Sequence, residues 1–443
     1  MTAHPLQALA AVLIFVAAYA LIATERMHRT VVALAGGAAV LLLGLVPQAE
    51  AFGAGGKGVD WNVIFLLLGM MIMVNLTRRT GLFQWIAIKA AKLARGEPVR
   101  VLLLLAAVTG LLSALLDNVT TVLFMAPVTL LIADGLGISP VPLLIVQIIA
   151  SNVEGTATLI GDPPNIMIGS SAQLGFMSFL VNLAPIAILV FVLLIPLFKW
   201  MFREQLKPPP DVKERVAGFD EKRAITEPLL LRKCLVVLAF TFAGFILHEH
   251  FHLGPATVAL AGAALLLLVT KAPVEELLRE IEWSTLLFFV GLFLMVSALV
   301  RTGIIPMVAH LLLSQASHNP DASAIALLWL SALISGLVDN IPFVAAADPM
   351  LVQLAAGLAP PGAAHLAALH SPAMMVFWWS LALGACLGGN ATLIGASANV
   401  VVAGIAERHG HPIGFRHYLR YGVPTTLLSL LLSTLYIWVR YLR

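Results

Sequence analysis

The sequence predicts an all-α polytopic membrane protein made of two inverted-topology repeats. Each repeat is expected to hold about five transmembrane helices, one re-entrant hairpin and one broken helix. Three observations lead there. Hydrophobic residues make up 60% of the chain and charged residues 11%, against about 25% charged in a soluble domain. Apolar windows recur at 6–24, 31–46, 63–76, 180–197, 235–247, 286–300 and 423–439. About 20 such residues cross ~30 Å of hydrocarbon as a helix, because backbone polar groups cannot face lipid unpaired. Finally, one unit is written twice. Val32-Ala33-Leu34-Ala35-Gly36 returns as Val258-Ala259-Leu260-Ala261-Gly262, and Asp117-Asn118 returns as Asp339-Asn340, with Val122 and Pro127 matched by Val344 and Pro349. Gly155-Thr156-Ala157-Thr158-Leu159-Ile160-Gly161, followed by Asn165, returns as Gly389-Asn390-Ala391-Thr392-Leu393-Ile394-Gly395, followed by Asn399. A duplicated apolar unit interrupted by Gly, Pro and Asn at matching places is the pattern of secondary transporters.

The expected division is 1–202 for the first repeat, 203–230 for a cytoplasmic linker and 231–443 for the second repeat. The linker carries Pro208-Pro209-Pro210 and mixed charges, and its simplest role is a tether. Ala18-Tyr19-Ala20 imitates a signal-cleavage site, but no Lys or Arg precedes the apolar run. The first helix is therefore read as retained. An odd number of spans inverts the second repeat. With both termini outside, only Lys57, Arg301, Arg440 and Arg443 of the 26 basic residues fall outside. The positive-inside rule asks for that bias, so the expected location is a cytoplasmic membrane with the linker in the cytoplasm. Segments 81–93 and 304–313 are expected along the interface or at the base of a moving part.

Within 101–132, Asp117 and Asn118 stand in mid-membrane beside Thr120 and Thr121. A carboxylate there costs about 2.5–3.5 kcal/mol or more. Two half-helices with this cluster at the tip are the economical solution. The second copy repeats it at Asp339-Asn340, where Pro342 supports the break. Gly161-Asp162-Pro163-Pro164-Asn165 interrupts the next helix, and Gly395-Ala396-Ser397-Ala398-Asn399 interrupts its counterpart. Such breaks leave free carbonyls on one half-helix and free N–H groups on the next. Gly161 and Gly395 would permit positive φ or close approach of a ligand.

Two tips and two breaks should meet near the midplane and offer carboxylates, carboxamides, hydroxyls and carbonyls. Asp117 and Asp339 are candidates for protonation or cation binding; capping of the hairpin is their plainer role. Glu154 and Asp162 are acids without counterparts, facing Gly388 and Ala396 in the alignment; a turn position is the plain alternative for Asp162. Asp348 likewise faces Ala126. Asn118, Asn165, Asn340 and Asn399 are candidate ligand contacts, with helix capping as the alternative. His248-Glu249-His250-Phe251-His252 lies in a short loop without a second cluster, so no metal site is expected. Cys386 reads as a small buried residue rather than a ligand. Cys234 and Cys386 form neither a disulfide framework nor a metal pair.

The segments 113–121, Ser151-Asn152 and Gly161-Asp162-Pro163-Pro164-Asn165 resemble the ion transporter superfamily, in the branch of arsenite efflux permeases, sodium/proton antiporters and the melanosomal P protein. The resemblance spans nearly the whole chain. It implies two inverted repeats, elevator-like movement and transport driven by the proton-motive force. It also implies that Asp117, Asn118, Thr120, Thr121, Gly161, Asp162 and Asn165 line the site with Asp339, Asn340, Thr392, Gly395 and Asn399. Thr158, the counterpart of Thr392, and Glu154 complete the expected set. The Asp-Asn order and the Pro-Pro pair look more like P-protein-like members than the best-known arsenite permeases.

The leading expectation is efflux of arsenite or antimonite in exchange for H⁺. A neutral hydroxylated solute needs no basic residue, and no Lys or Arg is expected in the core. Alternatives are a Na⁺/H⁺ antiporter using the same carboxylates and Na⁺-coupled dicarboxylate or anion transport. No cofactor is expected beyond a coupling ion, H⁺ or possibly Na⁺. An enzyme is disfavoured because no HExxH or supported nucleophile is present, and a channel by the paired breaks. No basic face with interleaved aromatics points to nucleic acid. A soluble ATPase partner would dock on the basic surfaces of 78–100 or 203–233.

Overall fold

The computed structural model describes residues 5–24, 27–53, 58–206, 221–360 and 362–443. Arg26, Lys57 and the linker's Pro208-Pro209-Pro210 lie outside the described residues. Among the described residues the chain is helical without strands, and ten helices are long and apolar enough to cross a membrane.

The first half runs α1 (Pro5–Ala23), α2 (Arg29–Leu42), a short α3 (Gln48–Ala51), α4 (Trp61–Arg79), α5 (Leu82–Leu93), α6 (Pro98–Leu115), α7 (Asn118–Leu136), α8 (Val141–Gly155), α9 (Pro163–Ala172) and α10 (Phe176–Phe202). The second half runs α11 (Pro228–Leu247), α12 (Pro255–Thr270), a short α13 (Val274–Arg279), α14 (Trp283–Arg301), α15 (Ile304–His318), α16 (Pro320–Leu337), α17 (Asn340–Leu358), a short α18 (His365–Leu369), α19 (Pro372–Gly388), α20 (Ser397–Arg408) and α21 (Phe415–Ile437). Pairs α6/α7 and α16/α17 break at Asp117 and Asp339, as expected, but their arms of 18 and 19 residues are each long enough to cross a membrane rather than half-helices. Pairs α8/α9 and α19/α20 are the expected broken helices. Exposed leucines and phenylalanines on α1, α11 and α21, such as Leu6, Leu13, Phe240 and Leu431, form a lipid-ready surface.

The halves exchange partners. α2 packs along α14, and α12 packs along α4; α7 meets α20, and α17 meets α9. Each half thus packs on the other through matching elements. The first two crossings are made by small residues. A Cβ on Gly291 of α14 would fall 2.3 Å from the Ala33 carbonyl, and one on Gly69 of α4 would fall 2.7 Å from the Ala259 carbonyl carbon. Close backbone approach through small residues drives helix association in lipid, where burial of apolar surface gives little net gain. The repeated Val-Ala-Leu-Ala-Gly segment is thus one side of an interface between the halves.

α5 buries Phe83, Ala87, Ala90 and Ala91 against the first hairpin, and α15 packs on the second. The end of the linker is also docked. Thr226 N–H donates to the Thr80 carbonyl (3.1 Å), its hydroxyl donates to the Arg79 carbonyl (2.9 Å), and Glu221 pairs with Lys92. Residues 221–226 are therefore fixed to the α4–α5 corner.

Gly291→Ala should destabilise the fold, since one methyl meets backbone and overpacking costs about 1–3 kcal/mol. Gly404→Ala, with nothing within 4 Å of the new methyl, should be neutral or slightly stabilising. Thermal unfolding of the detergent-solubilised variants checks both.

Candidate functional site

Each break is held by one asparagine. Asn165 donates both amide hydrogens, to the carbonyls of Thr156 (3.0 Å) and Thr158 (2.9 Å). Asn399 does the same to Gly389 (2.8 Å) and Thr392 (2.9 Å). These carbonyls are among those the interruption leaves without helical partners, and buried carbonyls without donors are costly. The threonines then tie each break to its hairpin: Thr158 donates to the Ala114 carbonyl and Thr392 to the Gly336 carbonyl, each at 2.6 Å. Asn118 N–H donates to the Gly161 carbonyl (3.1 Å).

These bonds revise several expected roles. The amide groups of Asn165 and Asn399 serve the backbone, and Thr158 and Thr392 are braces. Gly161 and Gly395 do approach something closely, but it is protein. A Cβ on Gly161 would fall 2.4 Å from the Gly155 carbonyl oxygen and 2.8 Å from that of Ser113, and one on Gly395 would fall 2.7 Å from that of Gly389. Neither glycine has positive φ.

The centre is a carboxamide chain that crosses between the halves. Asn118 donates to Asn152 Oδ1 (3.1 Å), and Asn152 donates to Asn390 Oδ1 (2.9 Å) and Asn399 Oδ1 (2.8 Å). Asn340 donates to both oxygens of Asp162 at 3.3 Å, so the second tip touches the first break. Four of the buried atoms without a hydrogen-bond partner lie here, Asn118 Oδ1, Thr120 Oγ1, Thr121 Oγ1 and Asn390 Nδ2, and others lie elsewhere in the interior. Polar atoms left open beside the breaks are groups that a solute or ion can use.

Asp117 caps α7 and Asp339 caps α17. Asp117 Oδ1 accepts from Thr120 N–H (2.8 Å), and Asp339 Oδ1 accepts from Ile341 N–H (3.1 Å). Their second oxygens differ. Asp339 Oδ2 accepts from Arg29 Nη1 (3.3 Å) and from Ser397 Oγ, and Arg29 also meets Ser397. The guanidinium lies over the Phe288 ring, 5.4 Å from its centroid. Arg29 is only partly buried, so among the described residues no Lys or Arg is fully buried, as expected, but a guanidinium does reach the second tip. Arg29 opens α2 in sequence, but the α2–α14 crossing carries its side chain to the tip of the other half. A cavity of about 460 Å³ is lined by His28, Arg29, Asp339, Ile394, Ser397 and Val401 among others. It abuts the N-terminus of α20, which has no side-chain cap and no acid in its first turn.

Glu154 is not part of the network. Its side chain packs on α6, where a Cβ on Gly110 would fall 2.7 Å from Glu154 Cγ. Asn152, Asn390, Arg29 and Ser397 are the additions. Asn390 and Asn152 were visible as amides inside apolar motifs, whereas nothing in the sequence joins Arg29 to Asp339.

The profile of the CitMHS family, described as citrate transporter, matches residues 19–384. The chain belongs to this citrate transporter family. An uncharacterized transporter of Mycobacterium tuberculosis is 46% identical over 431 residues, covering 97% of this chain and 98% of its own length. The human P protein is 32% identical over 499 residues, covering 95% of this chain and 58% of the P protein. Among solved structures, MtrF of Neisseria gonorrhoeae, described within a class of antimetabolite efflux pumps, aligns with TM-score 0.57 at 12% identity, covering 92% of this chain and 85% of that one. The Alcanivorax borkumensis YdaH transporter, described as having an unusual topology, aligns with TM-score 0.53 at 15% identity, covering 90% and 87%. At such identities the likeness is one of fold. The expected place in the ion transporter superfamily holds, and the citrate transporter family fixes the class as a multi-pass membrane transporter.

Asn152→Ala should remove the hub of the amide chain and leave groups of Asn118, Asn390 and Asn399 without partners. Each such group costs about 1–3 kcal/mol. A lowered melting temperature together with lost transport is the expected result, measured on the same purified protein.

Proposed function

We propose that this member of the citrate transporter family is a proton-coupled secondary transporter of a small oxygen-rich anion. The pairing of Arg29 with Asp339 and Ser397 beside the uncapped N-terminus of α20 carries the reading. Helix N-termini favour anions through free N–H groups and the helix dipole. The equivalent position in the first half offers none of this, because Pro163 and Pro164 lack N–H groups and Asp162 is acidic.

The coupling follows from charge. Arg29 and Asp339 together are neutral, and an anion entering alone would leave a net charge at depth. A proton on Asp339 releases the guanidinium, and the anion takes the place of the carboxylate. A proton and one negative charge of the anion then bind as a neutral unit, and further carboxylates of a solute such as citrate enter with their own charge or protons. On this reading the two repeats are inverted and both termini are extracytoplasmic.

Exchange of arsenite or antimonite for H⁺ is the second reading. It is favoured by the open hydroxyls of Thr120 and Thr121 and the open amide atoms of Asn118 and Asn390, which suit a neutral hydroxylated acid. The basic segment 78–100 offers a docking ATPase little: Arg78 and Arg79 pair with Glu280, Lys92 with Glu221 and Arg100 with Glu97.

The test is purified protein in liposomes holding a pH-sensitive dye, given citrate, arsenite or Na⁺ in turn. Inward citrate should acidify the lumen. Arg29→Gln should weaken apparent citrate affinity by about 10–100-fold, the equivalent of a charge-assisted hydrogen bond. Asp339→Asn should leave flux that no longer varies with pH. Proton movement with arsenite alone, undiminished in Arg29→Gln, would establish the second reading. Proton movement with Na⁺ alone would make the protein a cation antiporter.

A further inference from the structure

A second acidic site lies at the other end of α14. Thr30, beside Arg29, donates to the Ser284 carbonyl (2.7 Å), which puts the Arg29 cavity at the Trp283 end. At the Arg301 end a separate cavity of about 670 Å³ is lined by Asp60, Ser170, Ser171, Asp348 and His365. Asp348 lies nine residues beyond Asp339 in sequence, so about 13 Å of α17 separates them. It makes none of the bonds of the central amide chain.

Asp348 is 3% exposed. Its Oδ2 accepts from Ser171 Oγ (3.2 Å), while Oδ1 is buried with no partner at all. The adjacent Ser170 donates to Asp60 Oδ2 (2.5 Å). Asp60 also caps α4 through Asn62 N–H (3.0 Å). Both serines sit in the last turn of α9, whose carbonyl end adds negative potential. The basic group of the cavity, Arg301, is engaged by Glu50 at 2.6 Å rather than by Asp348. His365 on α18 also lines the cavity, and His370 beyond it contacts the Ala172 carbonyl at 2.9 Å. Among the described residues, α9, α15, α16 and α19 present no titratable side chain to this cavity.

We propose that Asp348 is a proton-binding site of its own, separate from the hairpin tips and loaded from water in this cavity. A carboxylate with one oxygen unpartnered and no cation beside it is costly to bury. A proton taken from the cavity onto Oδ1 removes the charge, while Ser171 continues to donate to Oδ2. The proton returns to the same water as the pH rises. The counterpart of Asp348 is Ala126, so the first hairpin lacks the equivalent step. The site rests on its own geometry and stands whichever solute the tips bind.

The measurement is infrared difference spectroscopy of the full-length protein in liposomes, titrated with pH in the absence of any solute. The native protein and Asp348→Glu should each show a carboxylic C=O band that disappears as pH rises. Asp348→Asn, which keeps the size of the side chain, should lack that band and retain those of other acids. A band pattern in Asp348→Asn identical to the native one at every pH would overturn the proposal. Loss of the Asp348 band on adding Na⁺ at fixed pH would overturn it too, by making the site a metal-cation site.

Discussion

A helix interrupted inside a membrane leaves carbonyls that lipid cannot satisfy, and the rest of this structure depends on how they are met. Asn165 and Asn399 each return two hydrogen bonds to the backbone of the break that precedes them. With those carbonyls occupied, the non-helical turns at 156–162 and 389–396 are affordable at depth. The glycines that begin and end each turn let its two ends touch, and the threonines pin the turn to the neighbouring hairpin. Every polar group of the centre takes its position from this bracing, including Asp162 and Asn340, which face each other across the two halves.

The repeated architecture makes departures from repetition informative. Bracing residues are kept in both copies: Asn165 with Asn399, Thr158 with Thr392, Gly161 with Gly395. Apart from the Asp117 and Asp339 pair, charged residues are not. Asp162 faces Ala396, Asp348 faces Ala126, and Arg29 serves only the second tip. A symmetric scaffold can exchange between two equivalent arrangements, whereas unmatched charges give the two faces different chemistry. The first break is acidic and lacks N–H donors at its start. The second has an uncapped helix N-terminus beside a guanidinium. A solute bound between them meets a donor side and an acceptor side.

The hairpins, breaks and most polar residues of the centre were legible in the sequence because a polar or helix-breaking residue inside a long apolar run has few structural explanations. Asp117, Asp339 and the Gly-Asp-Pro-Pro-Asn segment stood out on that ground alone. The division of labour among them was not legible. Asparagine can satisfy backbone or bind a ligand with the same atoms, and only the positions of the carbonyls decide between them. Glu154 shows the converse, an acid at the right depth that faces Gly110 of α6 instead of the centre.

By itself, the sequence determined that the chain is a duplicated, all-helical membrane protein with four interruptions at matching places, because hydropathy, repetition and Gly/Pro/Asn breaks are properties of the linear chain. The tertiary structure decided which residues from different repeats meet. Arg29 and Asp339 lie 310 residues apart, and Asn152 and Asn399 lie 247 apart. Their contact exists because α2 crosses α14 through Ala33 and Gly291, and because α20 packs beside α7 and α8. Contacts of that range follow from how helices cross, which no local pattern encodes.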